Sequence, residues 1–201
     1  MVSPGATSPH RAPLEALGLP TEAVGRLTAY LDTLAEWGRR VNLTGARTPT
    51  ERVTRLIARV LPAAGVPPSG SLLDVGSGNG SPGLVIALLR EDLHVTLLEP
   101  RTRRWAFLRE AARRAGRADI RVVRARHDTY PGPPARTVML RALVVPLPEL
   151  APLVETDGLL VVLGRRPGLA GPFEPEVPMD PSREDLHIFR RSPGESVSRE
   201  T

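Results

Sequence analysis

The chain has 201 residues and a net charge of +5, from 27 basic residues against 22 acidic ones, with no cysteine and four scattered histidines. Disulfides, cysteine nucleophiles and thiolate metal sites are excluded, and His10, His94, His127 and His187 show no ligand spacing, so no metal is expected. Lysine is absent too: all 27 basic residues are arginine, which removes P-loop and Schiff-base lysine chemistry and leaves planar, bidentate donors suited to phosphate and guanine.

Residues 1–12 are rich in Pro, Ser and Gly, without periodicity, and read as a disordered arm. They lack the apolar core of a signal peptide, and no run of about 18 apolar residues follows. No membrane association is expected, and the cytoplasm is the default location. From Thr21, a candidate cap, Leu27, Tyr30, Leu31, Leu34, Trp37 and Val41 recur at helical spacing, and the helix should end near Asn42-Leu43-Thr44-Gly45. Thr48-Pro49-Thr50-Glu51 carries a capping-box pattern with proline at the first helical position. Val53, Leu56, Ile57, Val60 and Leu61 supply that helix's buried face, and Pro62 ends it. These helices are expected to cap the edge or the ligand side of whatever sheet follows.

Strand–helix alternation then begins. Strand 71–75 runs through Asp74 into a turn with Gly76, Gly78, Gly80 and Gly83, and helix 82–90 follows at once. Glycine lets a backbone turn tightly and approach a ligand closely. The next strand, 94–98, ends on Glu99, about twenty residues after the glycines, the spacing at which an acid takes ribose hydroxyls. Loop and acid together imply a nucleoside-type cofactor. Gly78-x-Gly80-x-x-Gly83 matches the dinucleotide fingerprint, a weak signal alone. The preferred frame is Asp74-x-Gly76-x-Gly78-x-Gly80, which resembles the first motif of S-adenosylmethionine (SAM) methyltransferases, with Asp74 placed to orient the loop and hold the cofactor's charged amino-acid part.

Further on, helix 102–115 has Trp105, Leu108, Ala112 and Ala115 inward and Gly116 as its stop signal. Strands at 119–123 and 137–142, a helix at 146–154 and a fully apolar strand at 158–164 complete the alternation. PFEPEVPM and EDLHIFRR read as two strands joined by a proline-containing turn. The fold class is therefore α/β: a doubly wound, mostly parallel sheet, Rossmann-like in the manner of SAM-dependent methyltransferases, with an N-terminal helical cap and a C-terminal β-hairpin. The expected division is an arm at 1–12, a helical cap at 13–66, a SAM-binding domain at 67–191 and a tail at 192–201. Gly76, Glu99, His127, Asp128 and Arg141 all fall at or just after strand ends, where such sheets bind ligands.

Charge points to a partner. Between Arg101 and Arg141 stand twelve arginines against Glu110, Asp119 and Asp128, a local charge of +9. Such density is the footprint of a nucleic acid. Aromatic residues are few, so no stacking surface for single-stranded RNA is evident and recognition is expected to rest on arginine.

The sequence resembles the GidB family of 16S ribosomal RNA guanine-N7 methyltransferases over roughly residues 21–191. The carriers are Trp37 with Asn42-Leu43-Thr44, LLDVGSGNGSPG, VTLLEPRTRRWAFLRE, Arg126-His127-Asp128 and MLRA with Arg141. The resemblance implies SAM as cofactor, with Gly76 and Ser81 against its methionine part, Glu99 on the ribose and the backbone of His127 and Asp128 along the adenine. It implies ribosomal RNA or the small ribosomal subunit as partner, with Arg141 reaching the cofactor or the target base. An arginine that donates to guanine O6 leaves N7 open, and Arg126 and Arg141 are the candidates for that role. The sequence does not fix the oligomeric state, and a monomer is the default. The departures are local. The family's His-x-x-Asp-Ser appears as Leu56-Ile57-Ala58-Arg59-Val60, Ser81 replaces a large apolar residue, Gly164 stands where a lysine is usual, and a helix is shortened to RRPGLAGP. Two alternatives stay open on those grounds: a SAM-dependent methyltransferase acting on a small molecule or protein, and a catalytically weakened RNA-binding paralogue.

Overall fold

The computed structural model describes residues 7–168, 171–176 and 185–193. Three pieces precede α4 and the sheet: α1 (Arg11–Glu15), α2 (Thr21–Trp37) and α3 (Pro49–Arg52), the last continuing as a π-helical turn over Val53–Ala58. After α4 (Leu61–Ala64) come β1 (Gly70–Val75), α5 (Gly83–Leu89), β2 (Leu93–Leu98), α6 (Thr102–Arg114), β3 (Arg121–Val123) and β4 (Ala135–Arg141). The chain then makes α7 (Leu147–Leu150), β5 (Val154–Leu163), β6 (Phe173–Pro175) and β7 (Leu186–Arg191). Seven strands form one sheet in the order β3-β2-β1-β4-β5-β7-β6. The first five are parallel, and β7 and β6 are antiparallel additions at one edge. This is the doubly wound, mostly parallel α/β sheet read from the sequence. The strand order reverses between β1 and β4, so a crevice opens beyond their C-terminal ends.

Alternation along the strands divides the core. Leu72, Val95, Leu97, Met139 and Val161 face one side and pack under α2, α5 and α6 with Leu27, Leu31, Leu84, Phe107 and Leu108. Leu73, Val75, Val138, Leu140 and Leu160 face the other, under Leu147, Leu150 and Phe189. Thr48 Oγ1 accepts the Glu51 N–H at 3.1 Å and the Glu51 carboxylate accepts the Thr48 N–H at 3.3 Å, so the capping box forms as its spacing implies.

Several local expectations change. The arm assigned to 1–12 is docked over its described part: His10 is buried, its Nδ1 lies 2.7 Å from the Asp32 carboxylate, and the Ser8 hydroxyl donates to the same oxygen. A polar anchor does this, so no apolar period announces it. Thr21 is the first helical residue rather than the cap; Pro20 occupies that place with extended ψ. The helix expected at 146–154 is broken into α7 and a 3-10 turn, because Pro152 lacks the amide donor that continuing the helix would need. The turn between the last two strands falls on 177–184, outside the described residues, as do 194–201 of the expected tail.

One contact sets where β1 ends and α5 begins. Asp74 is buried, and its Oδ2 accepts the Gly83 N–H at 3.3 Å. A Cβ on Gly83 would lie 2.6 Å from the Asp74 Cγ, so only glycine lets helix and strand approach this closely. Burial pushes the Asp74 carboxyl up from 3.8 to about 7, reinforced by Glu99 and opposed by its contacts with Ser77, Gly83 and Arg141.

Two predictions follow from this contact. Gly83→Ala is expected to destabilise the fold by about 2 kcal/mol or more in urea unfolding, the cost of overpacking. Gly65→Ala, where nothing lies within 4 Å of the added carbon and φ is −85°, is expected to be neutral or slightly stabilising. The second concerns pH. A folded-state carboxyl raised to about 7 keeps a proton that the unfolded chain releases near its ordinary 3.8, so its contribution to stability falls as pH rises between those values and is flat above. The melting temperature of Asp74→Asn relative to the unsubstituted protein should therefore climb across that window and level off beyond it. A pH-independent difference would show that this carboxyl is not desolvated.

Candidate active site

A cavity of about 770 Å³ opens at the C-terminal ends of β1, β2 and β4, within the range of small-molecule sites. Its floor is the loop from Gly76 to Asn79. Gly76 and Gly78 have φ of 74° and 54°, so glycine is required there and bare backbone faces the cavity. The Gly76 and Ser77 amides donate to the Leu98 carbonyl at 2.9 and 3.0 Å, which ties the loop to the end of β2. Glu99 extends that tie. It is buried, one carboxylate oxygen accepts the Gly78 N–H at 3.0 Å, and the other accepts the Arg101 N–H at 2.8 Å.

The N-terminal helices close the opposite side, so they cover the ligand side of the sheet. The Tyr30 hydroxyl, buried on α2, donates to the Asn79 carbonyl at 2.8 Å. Asn79 Nδ2 donates to the Leu43 carbonyl at 3.1 Å, and its Oδ1 accepts the Ser81 N–H at 3.1 Å. The π-helical turn presents two carbonyls: that of Leu56 accepts the Ser81 hydroxyl at 2.8 Å, and that of Arg55 accepts from Arg141 at 2.8 Å. Arg141 also donates to Ser81 Oγ at 2.7 Å. Burial lowers the Arg141 pKa, with the neighbouring Arg59 adding to the effect and Tyr30, Asp74 and Asp185 opposing it. The guanidinium thus acts as a brace between β4, the glycine loop and the cap.

Of the residues singled out in the sequence, Gly76, Gly78, Ser81, Glu99, Arg126, His127 and Arg141 share this cavity wall. Asp74 and Gly80 do not. Asp74 lies beneath α5, where it holds the loop and cannot meet the charged end of a ligand; Gly80, at φ 92°, packs against Leu84 and Tyr30. Asp128 sits outside the cavity on an exposed turn, 3.3 Å from Arg126 Nε. His127 Nε2 lies 3.0 Å from the Glu149 carboxylate. Sequence reasoning missed Tyr30, Asn79, Arg55, Arg101 and Arg104. Asn79 sat inside the recognised loop, and Tyr30 was hidden in an apolar stripe whose period says nothing about its hydroxyl. Five arginines (55, 101, 104, 126 and 141) consequently ring one opening. Leu143 and Val144 stand at its rim, exposed, after Ala142 at φ 53°.

The family model described as rRNA small subunit methyltransferase G, GidB, matches residues 24–163. A Ribosomal RNA small subunit methyltransferase G from Methylobacillus flagellatus is 41% identical over 127 residues, 63% of this chain and 62% of that protein. One from Alkalilimnicola ehrlichii is 38% identical over 156 residues, 75% of this chain and 71% of that protein. The chain thus matches somewhat under two thirds of the first relative's length. Among solved structures, TrmN from Thermus thermophilus superposes with a TM-score of 0.51 at 18% identity, over 79% of this chain and 52% of that one, a likeness of fold alone. With the glycine loop, the acid at the end of β2 and a family match across most of its length, the chain belongs to the GidB family of SAM-dependent methyltransferases.

Proposed function

We propose that the protein transfers a methyl group from SAM to N7 of a guanine in small-subunit ribosomal RNA, acting in the cytoplasm as a monomer. The observation that carries this reading is a single cavity that joins a nucleoside-cofactor loop to five arginines in a member of the GidB family. In this reading residues 13–66 are the helical cap and 67–191 the SAM-binding domain.

The residues present fit the cofactor. Positive-φ glycines bring backbone to a cavity large enough for SAM, with the Leu143 side chain close against Gly76, and the Glu99 carboxylate stands at the end of β2, suited to ribose hydroxyls. Gly76 and Ser81 would face the methionine part and the backbone of His127 the adenine, with Asp128 just beyond. The chemistry SAM supplies when bound is an electrophilic methyl on a sulfonium. Guanine N7 carries a free lone pair, so neither Asp74 nor Glu99 is needed as a base, and the protein's contribution is in-line positioning.

The two proposed catalytic arginines then differ in role. Arg126 is exposed and, among the described residues, its side chain is held only by Asp128, so it can reach guanine O6 and leave N7 open. Arg141 is committed to Ser81 and the Arg55 carbonyl, and serves by holding the wall against which the base is placed. Arg55, Arg101 and Arg104 complete a cationic rim for the phosphates on either side of the target.

The test is methyl labelling of naked small-subunit RNA and of assembled subunits with tritiated SAM. Label is expected in a guanine. No label in any RNA, with SAM binding demonstrated by calorimetry, would sink the proposal. Arg126→Ala should lower kcat/KM for RNA by roughly 10- to 100-fold, the value of a good base contact, and leave SAM affinity unchanged. Glu99→Ala should show the converse emphasis, with SAM binding weakened about tenfold or more through loss of a charge-assisted acceptor.

A further inference from the structure

Both tryptophans of the chain stand in one groove, away from the cavity. The groove holds about 670 Å³ between the C-terminal end of α2 and the outer face of α6, and its walls include Trp37, Arg40, Trp105, Arg109 and Arg113. The rings are fixed in place. Trp105 Nε1 donates to the Val122 carbonyl at 3.1 Å, and Trp37 meets Phe107 edge-on with ring centres 6.0 Å apart. The Arg109 guanidinium lies over the Trp105 ring at 4.9 Å, a flat cation stacked on an aromatic face.

The charges in the groove are not equivalent. Glu110 takes Arg113 and Arg114 at 2.9 and 2.6 Å, and Glu36 takes Arg114 at 2.6 Å. Arg40 and Arg109 are exposed and have no acidic partner among the described residues. Nothing in the wall neutralises them, so the groove presents two available cations beside two aromatic rings. That combination matches a single nucleic-acid strand, whose bases stack on aromatic or guanidinium planes while its phosphates meet arginine.

Helix α6 connects this groove to the cavity. Arg101 and Arg104, at its start, line the cavity; Trp105 and Arg109, within the next turn and a half, line the groove. Its 13 residues span roughly 20 Å, the reach of several nucleotides. We propose that the α2–α6 groove docks single-stranded RNA flanking the target guanine, with bases against Trp105 and Trp37 and phosphates on Arg40 and Arg109; the proposal rests on RNA being the substrate. Few aromatic residues made no stacking surface evident in the sequence; on this proposal the folded chain supplies one. The fold gathers both tryptophans where unpaired arginine is available.

The tryptophans make the groove self-reporting, because the intrinsic emission of this protein comes from Trp37 and Trp105. A single-stranded RNA oligonucleotide from the small-subunit sequence, titrated into the full chain, should quench that emission. The double variant Arg40→Ala/Arg109→Ala removes two exposed side chains outside any ion pair, so folding should be retained. It should lose most of the quenching and bind RNA about tenfold more weakly. The slope of log K against log salt should shrink by about 1.4, two phosphates at roughly 0.7 each, with SAM binding unchanged. RNA binding without quenching, and with the same slope in the variant, overturns the proposal. So does a monomer–dimer equilibrium that the variant abolishes without any effect on RNA, which would assign the groove to a second copy. Methyl labelling is read separately: quenching without methyl transfer would sink the substrate reading and leave RNA docking standing, and labelling without quenching would do the reverse.

Discussion

The buried meeting of Asp74 with Gly83 is the constraint on which the rest depends. It places the buried end of β1 directly beneath the first turn of α5, with no side chain between. The intervening residues must then loop outward within a short span, and glycines at positive φ are the residues that can do so without strain. The arrangement is costly. A carboxylate in that environment gives up its hydration, which is why its pKa rises so far, and one of its oxygens finds no partner. What is gained is a loop whose backbone geometry is fixed before any ligand arrives.

The loop is held from three directions at once. Leu98 and Glu99 hold it from β2, Tyr30 and Leu43 from the cap, and Arg141, through Ser81, from β4. The three sets lie far apart in sequence. The π-helical turn completes the set, because its wider winding leaves the Arg55 and Leu56 carbonyls free to accept side-chain donors. The cap is therefore part of the site. A change in α2 that moved Tyr30 would be felt at Asn79 with no direct contact to a ligand.

The parts of this that could be read from sequence are those set by local rules. β1, β2 and the second half of β5 carry clusters of buried apolar residues (Leu72, Leu73 and Val75; Leu93, Val95, Leu97 and Leu98; Leu159–Leu163), and the capping box at Thr48 follows from four consecutive residues. Gly76, Glu99 and Arg141 were recognisable because parallel sheets place ligands at strand ends, and a strand end is visible in a sequence. Asp74 orients the loop as expected, through its bond to Gly83, but its position at the strand end says nothing about whether its side chain points into the crevice or under the helix. His10 was missed because a buried hydrogen-bonded histidine has no period. Tyr30, Asn79 and the groove at Trp37 and Trp105 needed the chain folded, since their partners lie 17 to 49 residues away where hydrogen bonds record them.

Charge shows the same limit from another side. Twelve arginines between Arg101 and Arg141 suggest a uniform basic surface, but they do not act alike. Arg117 is buried, donating to the Ala87 and Leu93 carbonyls and to Asp119 at 2.9 Å, so it fastens α5 and β2 to the end of α6. Arg113 and Arg114 are spent on Glu110 and Glu36. Buried pairs of this kind add nothing to a long-range field, and exposed pairs add little once salt screens them. Of the others, Arg101, Arg104, Arg126 and Arg141 line the cavity and Arg109 lines the groove beside the tryptophans, two places that α6 joins, while Arg103, Arg121, Arg124 and Arg136 lie outside both. The first turn of α6 carries Arg103 and Arg104 and no acid, which sets positive charge against the helix's own positive end. A helix under no demand but its own stability would put a carboxylate there. Cations at that end are consistent with a helix that serves a polyanion, and its stability must come instead from Phe107, Leu108 and Ala111 packed against the sheet.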